Sequence, residues 1–77
     1  MIDQEKVQIV AEIFNVTIQH EEIKPGDLYF GQAGDNLFSL QTCKEIDHEK
    51  MLIIPTKEFG ECFFIWNCVK VTRNKED

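Results

Sequence analysis

Cys62-Phe63-Phe64-Ile65-Trp66-Asn67-Cys68-Val69-Lys70-Val71 is the most apolar stretch of the chain, and its reading decides the fold. Phe63, Ile65, Val69 and Val71 share one parity; Cys62, Phe64, Trp66 and Cys68 share the other. Both parities are apolar in the first half. The stretch is dense in aromatic and β-branched residues and holds neither Gly nor Pro. It therefore predicts a central β-strand covered on both sides rather than a helix. Trp66, at its middle, is expected in the core. Asn67 interrupts one apolar parity and needs hydrogen-bond partners if buried, so it marks where that face meets solvent or another chain.

Moving outward from this strand, Lys57–Glu61 reads as a turn, preceded by a short apolar strand, Met51–Ile54, that Pro55 ends. Lys44–Lys50 is a charged connector. Leu37–Cys43 is a strand with Phe38, Leu40 and Thr42 on its more apolar face. Ala33-Gly34-Asp35-Asn36 closes a hairpin back to a strand at Asp27–Gly31. Pro25-Gly26 has the order of a type II turn. Val16–His20 is a short strand, and Asn15 stops what precedes it. Residues 4–14 carry two patterns. Val7, Val10, Ala11 and Phe14 fall on one helical face, widened by Ile9, Ile13 and Val16, whereas Val7, Ile9, Ala11 and Ile13 also alternate as a strand would. The β-branched Val7, Ile9, Val10 and Ile13 lower helix propensity, but Asp3 as N-cap and the Ala11 and Glu12 content favour the helix over the strand. Thr72–Asp77 is expected to fray.

The sum is one domain over residues 1–77, of α+β class. It is a small antiparallel sheet of four to five strands, connected as a meander, with one N-terminal helix packed on one face. A small SH3-like barrel is the alternative, because the segment Lys24–Phe30 resembles the way many small barrels start a strand. A chain of 77 residues buries only about 60% of its unfolded surface. A homodimer is therefore one way to complete its core.

Charge narrows the function. There are 14 Asp and Glu against 8 Lys and Arg, a net charge of −6. Met1–Glu61 carries 12 acidic and 5 basic residues, and Cys62–Asp77 carries 2 and 3. The acidic excess thus lies outside the apolar strand and tail. Direct binding to nucleic acid or to an anionic membrane is disfavoured, since phosphate affinity comes mainly from Lys and Arg. A basic protein partner suits the charge. No run approaches the roughly 20 apolar residues of a membrane span, and the N-terminus does not read as a signal peptide. Three cysteines, an odd number, point to a reducing cytoplasm.

Sites of chemistry are sparse. Neither C-x-x-C nor H-x-x-x-H spacing occurs, so no metal site or cofactor is expected. Cys43 with His48 lacks the electropositive surroundings that activate a thiol. Gly31-Gln32-Ala33-Gly34 matches the two glycines of an RNA-clamping G-x-x-G, but Asp35 stands where a phosphate would sit. Asn15-Val16-Thr17 has the form of a glycosylation sequon without a secretion signal. The expectation is a non-enzymatic protein.

The acidic residues form the candidate partner-binding set. Glu45, Asp47 and Glu49 recur at period two, which on an extended strand puts their carboxylates on one side about 6.8 Å apart. That step compares with the step between phosphates on a nucleic-acid strand. Glu21, Glu22 and Asp27 flank the Pro25-Gly26 turn, and Glu58 and Glu61 flank Phe59-Gly60. In size and charge the chain resembles small acidic, phage-encoded inhibitors of host machinery. Such a protein would mimic nucleic acid on the basic surface of a DNA- or RNA-binding protein, although strong mimics are usually more acidic than this. An SH3-like accessory module, holding a peptide through Tyr29, Phe30, Phe59 and Trp66, is the second expectation.

Overall fold

The computed structural model of the protein describes residues 1–74. Helix α1 spans Gln4–Ile13. Asp3 caps it: its Oδ1 accepts from the backbone N–H groups of Glu5 at 3.1 Å and Lys6 at 3.0 Å. Two of the donors that a helix N-terminus leaves unpaired are thereby satisfied. Asn15 ends the helix in the left-handed region at φ 56°, a conformation Asn tolerates well. Val7 and Ala11 are fully buried, and Val10 packs beside them. Phe14 sets its ring edge-on against Phe30, with centroids 5.4 Å apart. Ile9 and Ile13 do not widen the buried stripe; they are 60% and 75% exposed.

Six strands follow: β1 (Val16–Gln19), β2 (Leu28–Ala33), β3 (Leu37–Asp47), β4 (Leu52–Pro55), β5 (Phe63–Phe64) and β6 (Cys68–Arg73). All pairings are antiparallel, in the order β1-β6-β2-β3-β4-β5. The α+β class and the helix on one face are as expected. The strand count is higher, and the connection is a meander only from β2 to β5. Strand β6 crosses back to lie between β1 and β2. The sheet is not closed, since β1 and β5 remain edges.

The apolar stretch that anchors the sequence reading is not one strand. It supplies β5, then a single 3₁₀ turn at Ile65–Asn67, then β6. The physical reason is the crossover. A straight strand cannot stay paired with β4 and also run between β1 and β2. The Ile65 N–H still donates to the Met51 carbonyl at 2.9 Å, and the turn follows at once. The Trp66 carbonyl accepts from the Ile2 N–H at 2.9 Å, which ties the N-terminus across the turn. Trp66 is consequently 47% exposed rather than in the core.

Two further expectations give way for the same kind of reason. Lys44–Asp47 is not a connector, because β3 continues through it to pair with β4. Thr72 and Arg73 are not frayed: they pair with Thr17 and Val16, and the Asn74 N–H donates to the Asn15 carbonyl at 3.1 Å. Residues 75–77 of the expected tail lie outside the described residues.

Strand β3 belongs to both halves of the sheet. Its first part pairs with β2 and its second with β4, and a register shift between Cys43 and Glu45 separates them. Such a bulge bends a strand. The bend brings β5 over β2, so closely that a Cβ on Gly31 would lie 2.3 Å from the Phe63 ring. Two apolar layers result. Phe30, Val69 and Val71 face α1, together with Ile2, Val7, Ala11 and Val16. On the opposite side, Tyr29, Cys43, Ile53 and Ile23 fill the fold between the two sheet halves. Among the described residues, no helix is long and apolar enough to cross a membrane.

Candidate functional site

The eight candidate carboxylates occupy three places in this fold. Glu21, Glu22 and Asp27 lie on the connection from β1 to β2. Lys24-Pro25-Gly26-Asp27 forms the expected type II turn, with the Asp27 N–H donating to the Lys24 carbonyl at 3.0 Å and Gly26 at φ 94°. The Asp27 carboxylate accepts from the Lys24 N–H at 2.8 Å. Lys70, on β6, reaches both Glu21 (3.2 Å) and Asp27 (3.5 Å). The Glu21 hydrogen bond and the Asp27 charge hold the Lys70 ammonium above its ordinary pKa. One of this cluster's three negative charges is therefore offset by Lys70, which Glu21 and Asp27 share. Glu21 and Glu22 also rim a cleft of about 310 Å³ whose floor includes Ile46, Ile53, Ile65 and Cys68.

Glu58 and Glu61 bracket the second place, a turn in which the Gly60 N–H donates to the Lys57 carbonyl at 3.0 Å. Phe59 sits at its tip in the left-handed region, at φ 64°, with 98% of its surface exposed. Glu58 borders a depression with Lys44 and Ile54, while Glu61 borders another with Ser39 and Gln41, so Phe59 stands between the two acids.

The third place is the outer face of the half-sheet β3–β4–β5. Residues directly opposite one another in an antiparallel ladder point to the same side. Ile46, Ile53 and Phe63 make one such row, and it faces the inner core. The adjacent row, Asp47, Leu52 and Phe64, must therefore face outward, as must Glu45 opposite Ile54. Phe64 stacks on Trp66 with centroids 4.7 Å apart and planes 6° from parallel. Both rings remain nearly half exposed, at 45% and 47%.

Glu45 and Asp47 thus share a face as expected, but Glu49 does not extend the row. It lies in the turn after β3, where the Asp47 Oδ1 accepts from the N–H groups of Glu49 and Lys50, each at 3.0 Å. Those bonds fix the Asp47 carboxylate without neutralising it. Lys44 and Lys50 flank the pair in sequence and dilute its negative charge.

The aromatic set divides differently from expectation. Tyr29 and Phe30 are wholly buried and cannot line a peptide groove. Burial, reinforced by the neighbouring Cys68 and Cys43 thiols, pushes the Tyr29 hydroxyl well above its ordinary pKa. Phe59 and Trp66 are exposed, and Phe64 joins them. Sequence reasoning missed Phe64, although its shared parity with Trp66 in a stretch next to Asn67 was a usable signal. Among the thiols, Cys43 is buried, Cys68 partly buried and Cys62 exposed outside any strand. Burial, with the Cys43 thiol nearby, pushes Cys68 up to about 12. Among the described residues, no three His, Cys, Asp or Glu side chains are grouped to hold a metal. No family model, curated protein or solved structure matches the chain.

Proposed function

We propose that the chain is a non-catalytic interaction protein that docks the basic surface of a polypeptide partner on the outer face of β3–β4–β5. One observation carries the reading: Phe64, stacked on the half-exposed Trp66, shares the outer face of β3–β4–β5 with Asp47, two strands away in the same row, and with Glu45 one row further along. Folding gains little from large aromatics left half in water, since the hydrophobic contribution scales with area removed from it. Aromatic anchors beside charge are what a binding surface uses, the rings giving affinity and the charges steering and register. Three free thiols support a reducing, cytoplasmic setting.

Within this reading the curled sheet is an SH3-like half-barrel, supported by the shared strand β3 and the lean of β5 onto β2. The nucleic-acid mimic, as a phage-type inhibitor, is the narrower version. It has less support, because the period-two row holds two carboxylates rather than three and Lys70 engages Glu21 and Asp27.

The test is capture from a nuclease-treated cell lysate, comparing the wild type with folded Phe64→Ala/Trp66→Ala and Glu45→Lys/Asp47→Lys variants. A basic protein retained by the wild type and lost by both variants is the expected result. Retention should weaken with salt without vanishing, because the apolar contact is not screened. Displacement of that protein by added DNA would favour the mimic. Equal retention by all three chains would remove this face from the function.

A further inference from the structure

We infer that the outer face of β3–β4–β5 selects arginine over lysine, so that the partner segment it takes is an arginine-bearing extended peptide. The inference rests on the interaction reading above and names the chemistry of its partner. The Phe64–Trp66 stack presents flat π surface, 4.7 Å between centroids and 6° from parallel, with nearly half of each ring open to solvent. A planar guanidinium can lie on such a surface and loses little hydration in doing so, whereas a lysine ammonium is compact and strongly hydrated. Indole is the best of the side-chain rings for this contact.

The carboxylates complete the match. Asp47, Leu52 and Phe64 lie in one row across three adjacent strands. Strands are about 4.8 Å apart, so the Asp47 backbone stands roughly 10 Å from that of Phe64. Same-face residues of an extended peptide are about 6.8 Å apart. An Arg-x-Arg segment crossing the strands therefore sets one guanidinium on the rings and brings the next to the carboxylate side. There Asp47 is already oriented by the Glu49 and Lys50 N–H groups, and its remaining acceptor sites suit the fork of a guanidinium. Leu52, half-buried between the two positions, offers apolar surface to the arginine stems. An uncharged proline-rich segment would also stack on the rings, but it would leave Glu45 and Asp47 unused. The charge of the face favours the cation.

Trp66 is the single tryptophan of the chain, so its emission reports the site directly. The experiment titrates the full chain with three synthetic peptides at low ionic strength: Gly-Arg-Gly-Arg-Gly, its lysine counterpart of equal charge, and an uncharged Pro-x-x-Pro peptide. The arginine peptide should shift Trp66 emission saturably and bind at least about five-fold more tightly than the lysine peptide. Phe64→Ala should erase that preference. Asp47→Asn, which keeps an acceptor for the turn, should weaken both cationic peptides, while Glu12→Gln, an equal charge loss on the exposed side of α1, should not. Equal affinity for arginine and lysine peptides would overturn the inference while leaving the docking of a basic partner intact. Saturation by the proline peptide alone would overturn it in favour of polyproline. Absence of any saturable response to the arginine peptide would overturn it as well. The lysate capture then decides separately whether the face binds anything, because that readout needs no particular peptide.

Discussion

At the scale of single residues, Phe59 sets the fold's local preference against its own conformation. A non-glycine residue in the left-handed region costs about 1–2 kcal/mol, and a ring that is 98% exposed returns nothing from burial. Phe59→Gly should therefore raise stability, by about 1 kcal/mol after the extra chain entropy of glycine is subtracted. For a domain of this size the thermal midpoint would rise by roughly 4–8 °C. A lower midpoint would mean that the ring holds the turn after all. Cys68 gives a second prediction. Its thiol ordinarily ionises at 9.0 and is pushed up to about 12 in the folded chain. Between those values the unfolded chain has lost the proton that the folded chain retains, so rising pH favours unfolding. Stability should be intact below pH 9 and fall as pH climbs towards 12. Denaturant unfolding at pH 8 and pH 10.5 should show that fall, and it should be shallower in Cys68→Ala. Equal slopes in the two chains would assign the alkaline sensitivity to other groups, Tyr29 first. The cap of Asp3, the stop at Asn15 and the turn at Pro25-Gly26 were all legible in sequence, because each depends on the residue's own conformational preference. The exposure of Trp66 was not, because a tryptophan among apolar neighbours looks the same whichever side the backbone turns.

At the scale of elements, β5 crosses β2 closely, with the Phe63 ring set over Gly31. Gly31 is required there by space, since a Cβ would meet the Phe63 ring at 2.3 Å. Gly31→Ala must push aside a ring that is only 5% exposed. The expected cost is about 1–3 kcal/mol, the usual range for overpacking, read as a lower denaturation midpoint. A chain that also carries Phe63→Leu should recover part of the loss, and no loss in the single variant would mean that β5 does not lie on β2. The elements themselves were mostly readable. Helix α1, β1, β2 and β4 came within a residue or two from caps, turns and periodicity. Strand β3 was cut short because Lys44–Asp47 is too charged to look like a strand. It is one because its outer face is solvated and Ile46 alone must point inward. The stretch from Cys62 was read as a single strand because its composition is uniform across the break at Ile65–Asn67.

At the scale of the whole molecule, the sheet's first edge is built from segments far apart in sequence. Thr17 bonds to Asn74, 57 positions away, and β1 pairs with the last residues of β6. A chain ending at Val71 should be less stable than one ending at Asn74 by about 2–4 kcal/mol, the net worth of a few hydrogen bonds. Equal thermal midpoints would show that residues 72–74 contribute nothing to the fold. By itself the sequence determined the α+β class, the capped amphipathic helix, the turns and the acidic character, because these follow from local preference, short-range periodicity and composition. Only the tertiary structure decided which acids share a face with which aromatics. That depends on the bulge between Cys43 and Glu45 and on the return of β6 between β1 and β2. Both are set by long-range pairing, where a shift of one residue turns every side chain to the other side of the sheet.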